Sequence, residues 1–500
     1  MTSLTDIFIK AFHSPDSLTA AIHENAEGII LYFNATGSYL DDDMEQWRRL
    51  ILSHKSVLNR LDYTDPYVRS FIVSLLDYAC RFGDQSMVRI LHSITRSHGI
   101  LIGSRLEAEC LIYCPRPSHS IEFLKRFQKI CGLLDTALED GETCVTDVKA
   151  ALLSYYRHVL ENLSAPYISQ FRDMVAAEVP VNNVAALIGN EVSDTSMTPQ
   201  RLYAVIDELL QHNDAPAVAR SFGVLLVEEG TPYASYLGYL PPSFPAIRNL
   251  AKSMAPANTT LGMRGTEIIR DTDDLAVYMR NYGNMHYAKI ASALEPPFPA
   301  PGGKVDLIDW GCGQAIASMA YIGRFGADAI NMIVLIDPSE LSLRRAALHC
   351  CHFAPGVPIV TICSDFDSLR PEMLPPPTSP VCVNLFSNVL DMPSFSHSHL
   401  ISVVESARHP LNHFVCASPA TDDTAIMLLD SFMAHFRTSH SKFTLHHTEN
   451  DTKYSPYWMC NNRYQYGNPR HGCNDYCSQY TEEGGCFHKW TRLLRVFSTE

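Results

Sequence analysis

The first 230 residues carry apolar side chains at helical spacing. In TDPYVRSFIVSLLDYACRFGD, apolar residues recur every three or four positions and define one buried helical face. Asp65 and Pro66 are typical of the start of a helix, and Gly83 is typical of its end. A similar start occurs at Thr198, and further helices are predicted over 42–60, 84–97, 119–135, 146–163 and 214–227. Because no strict repeat period is present, the pattern predicts an irregular helical bundle or solenoid.

Beyond residue 260 the pattern changes to short apolar runs that alternate with helical segments. The runs are VDLIDW (305–310), MIVLID (332–337), PIVTIC (358–363), PVCVNLF (380–386) and HFVCAS (413–418). Such runs predict an α/β domain, a parallel-rich Rossmann-like sheet with helices on both faces. The proline-rich, aromatic stretch 231–260 is predicted as a linker. The predicted organisation is a helical domain (1–230), this linker, and an α/β domain (261–500).

Composition and charge narrow the class of protein. Hydrophobic residues make up 46% of the chain and charged residues 19%, which is typical of an ordered globular protein. Neither a signal peptide nor a membrane-length apolar stretch is recognisable, so we expect a cytoplasmic protein with mostly reduced cysteines. The formal net charge of −15 argues against non-specific binding to nucleic acid. The helical domain is expected to hold a substrate or protein partner, or to serve as a scaffold.

A tight glycine turn follows the first predicted strand, in LIDWGCGQAIASMA. The turn consists of Gly311, Cys312, Gly313, Gln314 and Ala315. In α/β sheets the ligand lies at the carboxyl ends of the strands. Ile316 stands where a dinucleotide-binding turn needs glycine, and neither GKS nor GKT occurs, so a phosphate-binding loop is excluded. The turn instead suits S-adenosylmethionine, which has no phosphate, with Asp309 near its cationic end or acting as a structural cap.

DWGCGQA resembles motif I of the class I S-adenosylmethionine-dependent methyltransferases, with Ala315 in place of the third glycine. Alanine still permits close approach unless the backbone needs a positive φ there. Together with IDPSE, LFSNVLD and the segment from Trp490 to Phe497, the motif also resembles bacterial proteins described only as methyltransferase-like, which carry DWGCGQG. The first resemblance spans about residues 270–420 and implies this fold and cofactor.

The same resemblance implies roles for residues after the next three strands. Asp337, followed by Pro338, would accept hydrogen bonds from both ribose hydroxyls, although Asp337 also suits the N-cap of the next helix. Asp365 and Phe366 would lie near adenine. The segment that begins at Asn384 and includes Phe386 would lie near the sulfonium and the substrate.

Candidate catalytic residues lie on both sides of the turn. Tyr282 and His286 are four residues apart in a segment (273–294) expected to cover the cofactor, so they share a helical face. His286 is a candidate general base with a near-neutral pKa, and the alternative is aromatic packing. Asn388 suits either substrate contact or capping of the next helix.

No catalytic nucleophile is evident, and methyl transfer requires alignment more than a nucleophile. The motifs of DNA base methylases, (D/N)PP(Y/F) and the Pro-Cys of cytosine-5 enzymes, are absent. The sequence therefore predicts methyl transfer to an O or N atom of an unidentified protein, RNA or small molecule. The alternative is a catalytically silent S-adenosylmethionine-binding scaffold or sensor.

The segment 460–488 is rich in cysteine. Its candidate metal ligands are Cys460, Cys473, Cys477 and Cys486, joined by His471 and His488. Four thiolates suit zinc or an iron–sulfur cluster, although Cys-x3-Cys is looser than the usual spacing. Free thiols and an unusual disulfide are the alternatives. A metalloprotein whose function depends on this segment is the third functional hypothesis.

Overall fold

The chain divides into two compact units. The computed structural model describes residues 4–34, 40–113, 120–179, 182–210, 221–222, 226–256, 268–269, 271–300, 302–454, 480–481, 485–486 and 490–500. The first unit comprises Met1–Ala215, Gly262–Gly265 and Thr421–Thr424. The second comprises Pro216–Leu261, Thr266–Ala420 and Ala425–Glu500. Among the described helices, none is long and apolar enough to cross a membrane.

The described elements of the first unit up to residue 210 are all helices. They are α1 (Leu4–Ala11), α2 (Pro15–Glu24), α3 (Ala26–Asn34), α4 (Leu40–Ser53), α5 (Lys55–Leu58), α6 (Pro66–Arg81), α7 (Gln85–His98), α8 (Ser104–Tyr113), α9 (Ser120–Glu139), α10 (Val145–Asn162), α11 (Ala165–Glu178), α12 (Asn183–Ala186), α13 (Gly189–Ser193) and α14 (Pro199–Leu210). The predicted start of α6 is confirmed, since the Asp65 carboxylate accepts a hydrogen bond from the N–H of Tyr67 at 2.9 Å. Apolar side chains form two successive cores, one around Phe8, Trp47 and Phe71 and one around Phe127 and Tyr155.

The second unit is built around a sheet. Its elements are β1 (Ser221–Phe222), α15 (Pro232–Leu237), α16 (Phe244–Met254), α17 (Thr272–Asn281), α18 (Gly283–Ala293), β2 (Val305–Trp310), α19 (Ile316–Phe325), β3 (Ile330–Asp337), α20 (Glu340–Phe353), β4 (Ile359–Cys363), β5 (Val381–Ser387), α21 (His397–Ser406), β6 (Leu411–Ser418), α22 (Asp423–Ser439), β7 (Phe443–Asp451), β8 (Tyr480–Thr481), β9 (Gly485–Cys486) and β10 (Arg492–Thr499). The five predicted strands are confirmed.

The order of the strands defines the fold. The sheet runs β1-β4-β3-β2-β5-β6-β10-β7, with β2 to β6 parallel and β10 antiparallel to both neighbours. The doubly wound order 3-2-1-4-5-6 is therefore kept, with β10 inserted before the last strand and the short β1 added at the other edge. Helices α19 and α20 pack on one apolar face of the sheet, and α21 and α22 pack on the other. The predicted class is confirmed as a parallel-rich, Rossmann-like α/β sheet with helices on both faces, preceded in the chain by many helices.

Two stretches differ from the predicted elements. The helix predicted over 214–227 is wrong where the chain is described, because Ser221 and Phe222 pair with Cys363 and Ile362 as an edge strand. Short apolar runs do not distinguish helix from strand by periodicity alone. The stretch 231–260, predicted as a linker, contains α15 and α16, whose apolar side chains belong to the core of the sheet.

A buried carboxylate fastens the amino edge of the sheet. Asp306 in β2 accepts hydrogen bonds from Thr378 N (2.6 Å), Thr378 Oγ1 (2.5 Å), Ser379 N (3.0 Å) and His409 Nε2 (2.9 Å). Asp306 therefore ties the start of β2 to the segments that precede β5 and β6. The opposite, carboxyl edge carries the candidate site.

Candidate functional site

The chain passes unusually close to itself where the strand order reverses. The reversal lies between β2 and β5, and ligands of open α/β sheets bind in the crevice at such a point. Gly311 follows β2 with a φ of 69°, and a Cβ built there would lie 2.5 Å from Cγ1 of Val389. Position 311 therefore requires glycine for two reasons, the backbone conformation and the packing of the loop after β5.

The turn contains three left-handed residues within five positions. Gly313 has a φ of 51° and Ala315 a φ of 60°, and the N–H of Ala315 donates to the carbonyl of Cys312 at 2.7 Å. The backbone at position 315 thus has a positive φ, and this is the condition under which alanine is less favourable than glycine. An L-residue in this conformation is strained by roughly 1–2 kcal/mol.

Asp337, at the end of β3, is bound to the turn. Its Oδ2 accepts the N–H of Gly313 at 2.8 Å, and its Oδ1 accepts the N–H of Ser339 at 2.8 Å. The N-cap of α20 is Ser339, not Asp337, because the Ser339 hydroxyl accepts the N–H of Ser342 at 3.1 Å. Burial raises the pKa of Asp337 to about 6, although these hydrogen bonds oppose the rise. Each carboxylate oxygen has two lone pairs, so both keep capacity for another donor.

Asp309 lies inside the sheet and beneath α19. Its Oδ2 accepts hydrogen bonds from the N–H (3.2 Å) and the hydroxyl (2.7 Å) of Ser318. Its Oδ1 is buried and has no hydrogen-bond partner among the described residues. Burial raises its pKa to about 7, and the negative charge of Asp337 adds to the rise. The structural role considered for Asp309 is therefore present, together with one buried oxygen that has no hydrogen-bond partner among the described residues.

The other residues of the turn are buried. The side chain of Gln314 donates from Nε2 to the carbonyl of Leu275 in α17 at 2.9 Å, which joins the turn to the preceding helix. Burial raises the pKa of the Cys312 thiol well above its usual range, so this cysteine is protonated. Beside the turn, Pro338 follows the end of β3, and its carbonyl oxygen lies 3.5 Å from Sγ of Cys363 in β4. These contacts make the turn a fixed part of the sheet edge.

The residues after β4 border the same crevice. Phe366 is buried against the side chain of Phe395, with ring centroids 4.8 Å apart, and its Cζ lies 3.5 Å from a Cβ built at Gly311. The Asp365 carboxylate accepts the N–H of Ser368 at 2.7 Å. Phe366 is therefore brought to the glycine turn, whereas Asp365 caps the turn that follows it.

The side chains of Asn384 and Phe386 face the core of the sheet. Both side chains lie in the core on one face of β5, where Asn384 Oδ1 accepts from the indole Nε1 of Trp310 at 3.0 Å. Phe386 stacks on Trp310 with ring planes 3° apart. Alternation along β5 turns these two side chains toward α21 and α22, and the cofactor contacts expected of the two residues stay a prediction.

Helices α17 and α18 carry an aromatic group at the site. Tyr278 Oη and His286 Nδ1 are 3.2 Å apart, and the rings of Tyr282 and His286 stack 6.4 Å apart. Burial, and then the charge of Lys289, lower the pKa of His286 to about 3. The expected near-neutral general base is corrected accordingly, because neutral imidazole with this pKa is a weak proton acceptor. Both the packing and the shared face predicted for Tyr282 and His286 are present.

Asn388, at the end of β5, is strained and bound on several sides. Its φ is 58°, its N–H donates to the carbonyl of Ala417 at 2.7 Å, and its Nδ2 donates to Ser387 Oγ at 3.0 Å. Its Oδ1 accepts from Nζ of Lys289 at 3.4 Å. Sequence reasoning missed the fully buried Lys289, whose only signal is its position three residues after His286. Non-glycine residues with positive φ cluster at functional sites, and among the described residues Ala315 and Asn388 are the two that have it.

The side chains of the predicted metal ligands lie outside the described part of the structure. This holds for the thiols of Cys460, Cys473, Cys477 and Cys486, and the zinc or iron–sulfur site stays a prediction. Within the described residues, no group of three or more His, Cys, Asp or Glu side chains is arranged to hold a metal ion.

Comparisons with known proteins give matches among solved structures alone. No family profile and no curated protein matches the chain. A precorrin-6y C5,15-methyltransferase from Geobacter metallireducens matches with 12% identity over 47% of this chain and 91% of that one, at a TM-score of 0.26. A candidate class I S-adenosylmethionine-dependent methyltransferase of Listeria monocytogenes matches with 11% identity over 71% and 88%, at 0.29.

A phosphoethanolamine N-methyltransferase 2 of Haemonchus contortus, solved with phosphomonomethylethanolamine and S-adenosylhomocysteine, matches with 12% identity over 33% of this chain, at a TM-score of 0.23. The match spans 38% of that protein's length. The strand order and the antiparallel β10 give the second unit of the present chain a Rossmann-like α/β fold.

Proposed function

We propose that the second unit binds S-adenosylmethionine and transfers its methyl group to an O or N atom of an acceptor. The observation that carries the proposal is the hydrogen bond from Gly313 N–H to the Asp337 carboxylate, in the crevice where the strand order reverses. This hydrogen bond connects two parts of the proposed site. One is a glycine turn that a ligand can approach closely, and the other is the Asp337 carboxylate, which can accept hydrogen bonds from hydroxyl groups. Ile316 and the absence of a Walker-type lysine argue against a phosphate ligand.

The residues present fit this cofactor. Asp337 would hold the ribose hydroxyls through its remaining lone pairs. Gly311 lets the turn pack closely against Val389, which a Cβ would prevent, and Phe366 places a buried aromatic ring beside the turn. The unsatisfied Oδ1 of Asp309 supplies a negative or dipolar group behind the turn. When bound, the cofactor supplies an activated methyl group on a sulfonium.

The acceptor side is assigned to the aromatic group of α17 and α18 together with Asn388. Tyr278, Tyr282 and His286 would orient the acceptor and exclude water, since alignment supplies much of the acceleration of a methyl transfer. Because its pKa is about 3, His286 is assigned to orientation and not to strong general-base catalysis. The acceptor would then lose its proton to solvent before it enters the site. This suits an acceptor that ionises readily.

A silent S-adenosylmethionine-binding scaffold or sensor is the second candidate function. The observation in its favour is the depressed pKa of His286, which removes the one candidate general base on α18. We further propose that the acceptor is a protein, an RNA or a small molecule, that the helical unit holds it or a protein partner, and that the protein acts in the cytoplasm. A zinc or iron–sulfur role for the cysteine-rich segment is retained as a separate hypothesis, which elemental analysis of the purified protein tests.

Two measurements test the proposed function. Calorimetry with S-adenosylmethionine and S-adenosylhomocysteine measures binding, and incubation of the protein with methyl-labelled cofactor and cell lysate measures transfer. Binding together with label transfer is expected. Binding without transfer to any macromolecule or metabolite would favour the silent scaffold, and the absence of binding would overturn both candidates.

A further inference from the structure

A buried histidine contacts the glycine turn from behind. His349 in α20 is fully buried, and its Nδ1 lies 2.9 Å from the carbonyl oxygen of Gln314. Its Nε2 lies 2.7 Å from the hydroxyl of Tyr233 in α15. The two ring nitrogens are therefore both engaged, one by the turn and one by a helix that precedes the sheet.

The contacts fix the protonation state of the ring. A carbonyl oxygen only accepts, so Nδ1 of His349 carries the proton and donates to Gln314. Burial lowers the pKa of His349 to about 3, so the ring is neutral and Nε2 is an acceptor. The Tyr233 hydroxyl consequently donates to Nε2. This bond selects the single tautomer that can bind the turn.

Tyr233 is itself held by a buried ion pair. The guanidinium of Arg345 lies over the Tyr233 ring, 3.5 Å from its centroid. The same guanidinium donates through Nε and Nη2 to both carboxylate oxygens of Glu228, with the Nη2 contact at 3.0 Å. All three side chains are almost completely buried, so the ring has little freedom to move away from His349.

We propose that Tyr233 and His349 are positioning residues that hold the glycine turn in its ligand-binding conformation. The inference rests on the proposed function, because the ligand in question is S-adenosylmethionine. The contact of this pair with the turn is the hydrogen bond between His349 and the Gln314 carbonyl. Each acts through the Gln314 carbonyl.

Strain next to the contact explains why such support is needed. The Gln314 carbonyl belongs to the peptide that precedes Ala315, whose φ is 60°. Strained residues persist only where the surrounding structure over-determines them. His349 fixes that peptide from behind, while the Gln314 side chain fixes it from α17. Loss of the tautomer would place a bare nitrogen against the carbonyl and release the turn toward an unstrained conformation.

Tyr233→Phe tests the proposal with the loss of one oxygen atom. We expect the Kd for S-adenosylmethionine to rise about tenfold, and amide hydrogen exchange across residues 311–316 of the ligand-free protein to accelerate. Tyr155→Phe is the matched control, since Tyr155 is equally buried in the helical unit and its hydroxyl donates to the Phe123 carbonyl at 2.7 Å. This variant should lose stability while leaving both readouts unchanged.

A second substitution separates positioning from general destabilisation. Glycine adopts a positive φ without strain, so Ala315→Gly should restore at least half of the affinity that Tyr233→Phe removes. A merely structural role of Tyr233 predicts no such rescue. Equal losses with and without Ala315→Gly would overturn the proposal.

Two readouts do not depend on the cofactor. Nitrogen NMR of His349 in the wild-type protein should show protonated Nδ1 and bare Nε2, and the opposite tautomer would refute the network. If the protein fails to bind S-adenosylmethionine, the proposed function falls, whereas exchange across residues 311–316 still decides whether Tyr233 positions the turn. Unchanged exchange in Tyr233→Phe would contradict the inference alone.

Discussion

The N–H of Gly313 donates to Oδ2 of Asp337 at 2.8 Å, so the turn after β2 is bound to the end of β3. Gly313 lies in the turn that follows β2, Asp337 ends the neighbouring parallel strand β3, and each helps to fix the other's position. The carboxylate holds the turn, while the turn helps to keep the carboxylate ionised by donating to it. A ligand that binds both the glycine turn and the Asp337 carboxylate would therefore find the two already held together.

Asp337→Asn should weaken binding of S-adenosylmethionine by roughly 10- to 100-fold. The amide replaces one acceptor oxygen with a donor, and hydrogen bonds to charged groups contribute about 1.5–3 kcal/mol. Calorimetry measures the change. Asp328→Asn removes a carboxylate that is exposed on the same unit and should leave the Kd within experimental error. Equal affinity of the wild-type protein and Asp337→Asn would rule out the ribose assignment.

Affinity for S-adenosylmethionine should rise as the pH increases from 5 to 7. Burial raises the pKa of Asp337 to about 6, and only the ionised carboxylate has acceptors alone on both oxygens. Calorimetry across this range gives the profile. The profile of Asp337→Asn should be flatter. A wild-type affinity that falls with pH would contradict the role given to Asp337.

Stability of the ligand-free protein should show the opposite dependence through Asp309. Its folded pKa of about 7 exceeds the ordinary value near 4, so the folded protein binds the extra proton between these values. The contribution is complete below about pH 4 and is lost as the pH rises through 7. The Tm of Asp309→Asn, measured by thermal unfolding, should therefore rise relative to the Tm of the wild-type protein as the pH increases from 5 to 8. A constant difference in Tm would refute this assignment.

Gly311→Ala should lower the free energy of unfolding by roughly 2–4 kcal/mol, because the new Cβ meets Val389 and the positive φ is strained. Val389→Ala in the same chain should restore part of the loss. Gly323→Ala, in α19 with nothing within 4 Å, is the control and should stabilise the helix by about 0.5–1 kcal/mol. Chemical denaturation measures all three. Similar effects at positions 311 and 323 would contradict the packing at the crevice.

Ala315→Gly should change the free energy of unfolding by less than about 0.5 kcal/mol, since relief of the positive φ offsets the lost methyl and the greater freedom of the unfolded chain. Ala320→Gly, also buried and inside α19, should cost about 1–2 kcal/mol. The difference between the two variants measures the strain at position 315. Equal costs would mean that Ala315 is unstrained.

The five parallel strands β2 to β6 were predictable because they are continuous apolar runs, whereas β7 and β10 were not predicted as strands. VDLIDW corresponds to β2 without a shift, and the other four predicted runs match strands within two residues at each end. The edge strand at Ser221 was not predictable, since two residues carry no period and depend on pairing with β4. The stretch that contains α15 and α16 was predicted as a linker because it is rich in proline, although Thr231 and Pro232 supply a local helix start, with the Thr231 hydroxyl accepting the N–H of Ala234 at 3.2 Å.

The residues of the candidate site were predictable where the course of the backbone alone places them. Gly311, Gly313 and Asp337 meet because parallel strands end at one edge. Side-chain direction decided the rest: Asn384 and Phe386 point into the core, although their strand ends at the crevice. The depressed pKa of His286 depends on burial beside Lys289, which the sequence does not state.

The carboxylate of Asp306 has a consequence for sorting natural or engineered variants. It lies at the amino edge of β2, at the opposite end from the glycine turn, and it fastens segments that take no part in the proposed chemistry. Substitutions around Asp306 should therefore reduce the yield of folded protein while the molecules that do fold keep their affinity. Variants with a low yield of folded protein would then map to the amino end of β2, and variants with a low affinity for S-adenosylmethionine would map to its carboxyl end. A survey of variants could therefore locate the binding site before any acceptor is known.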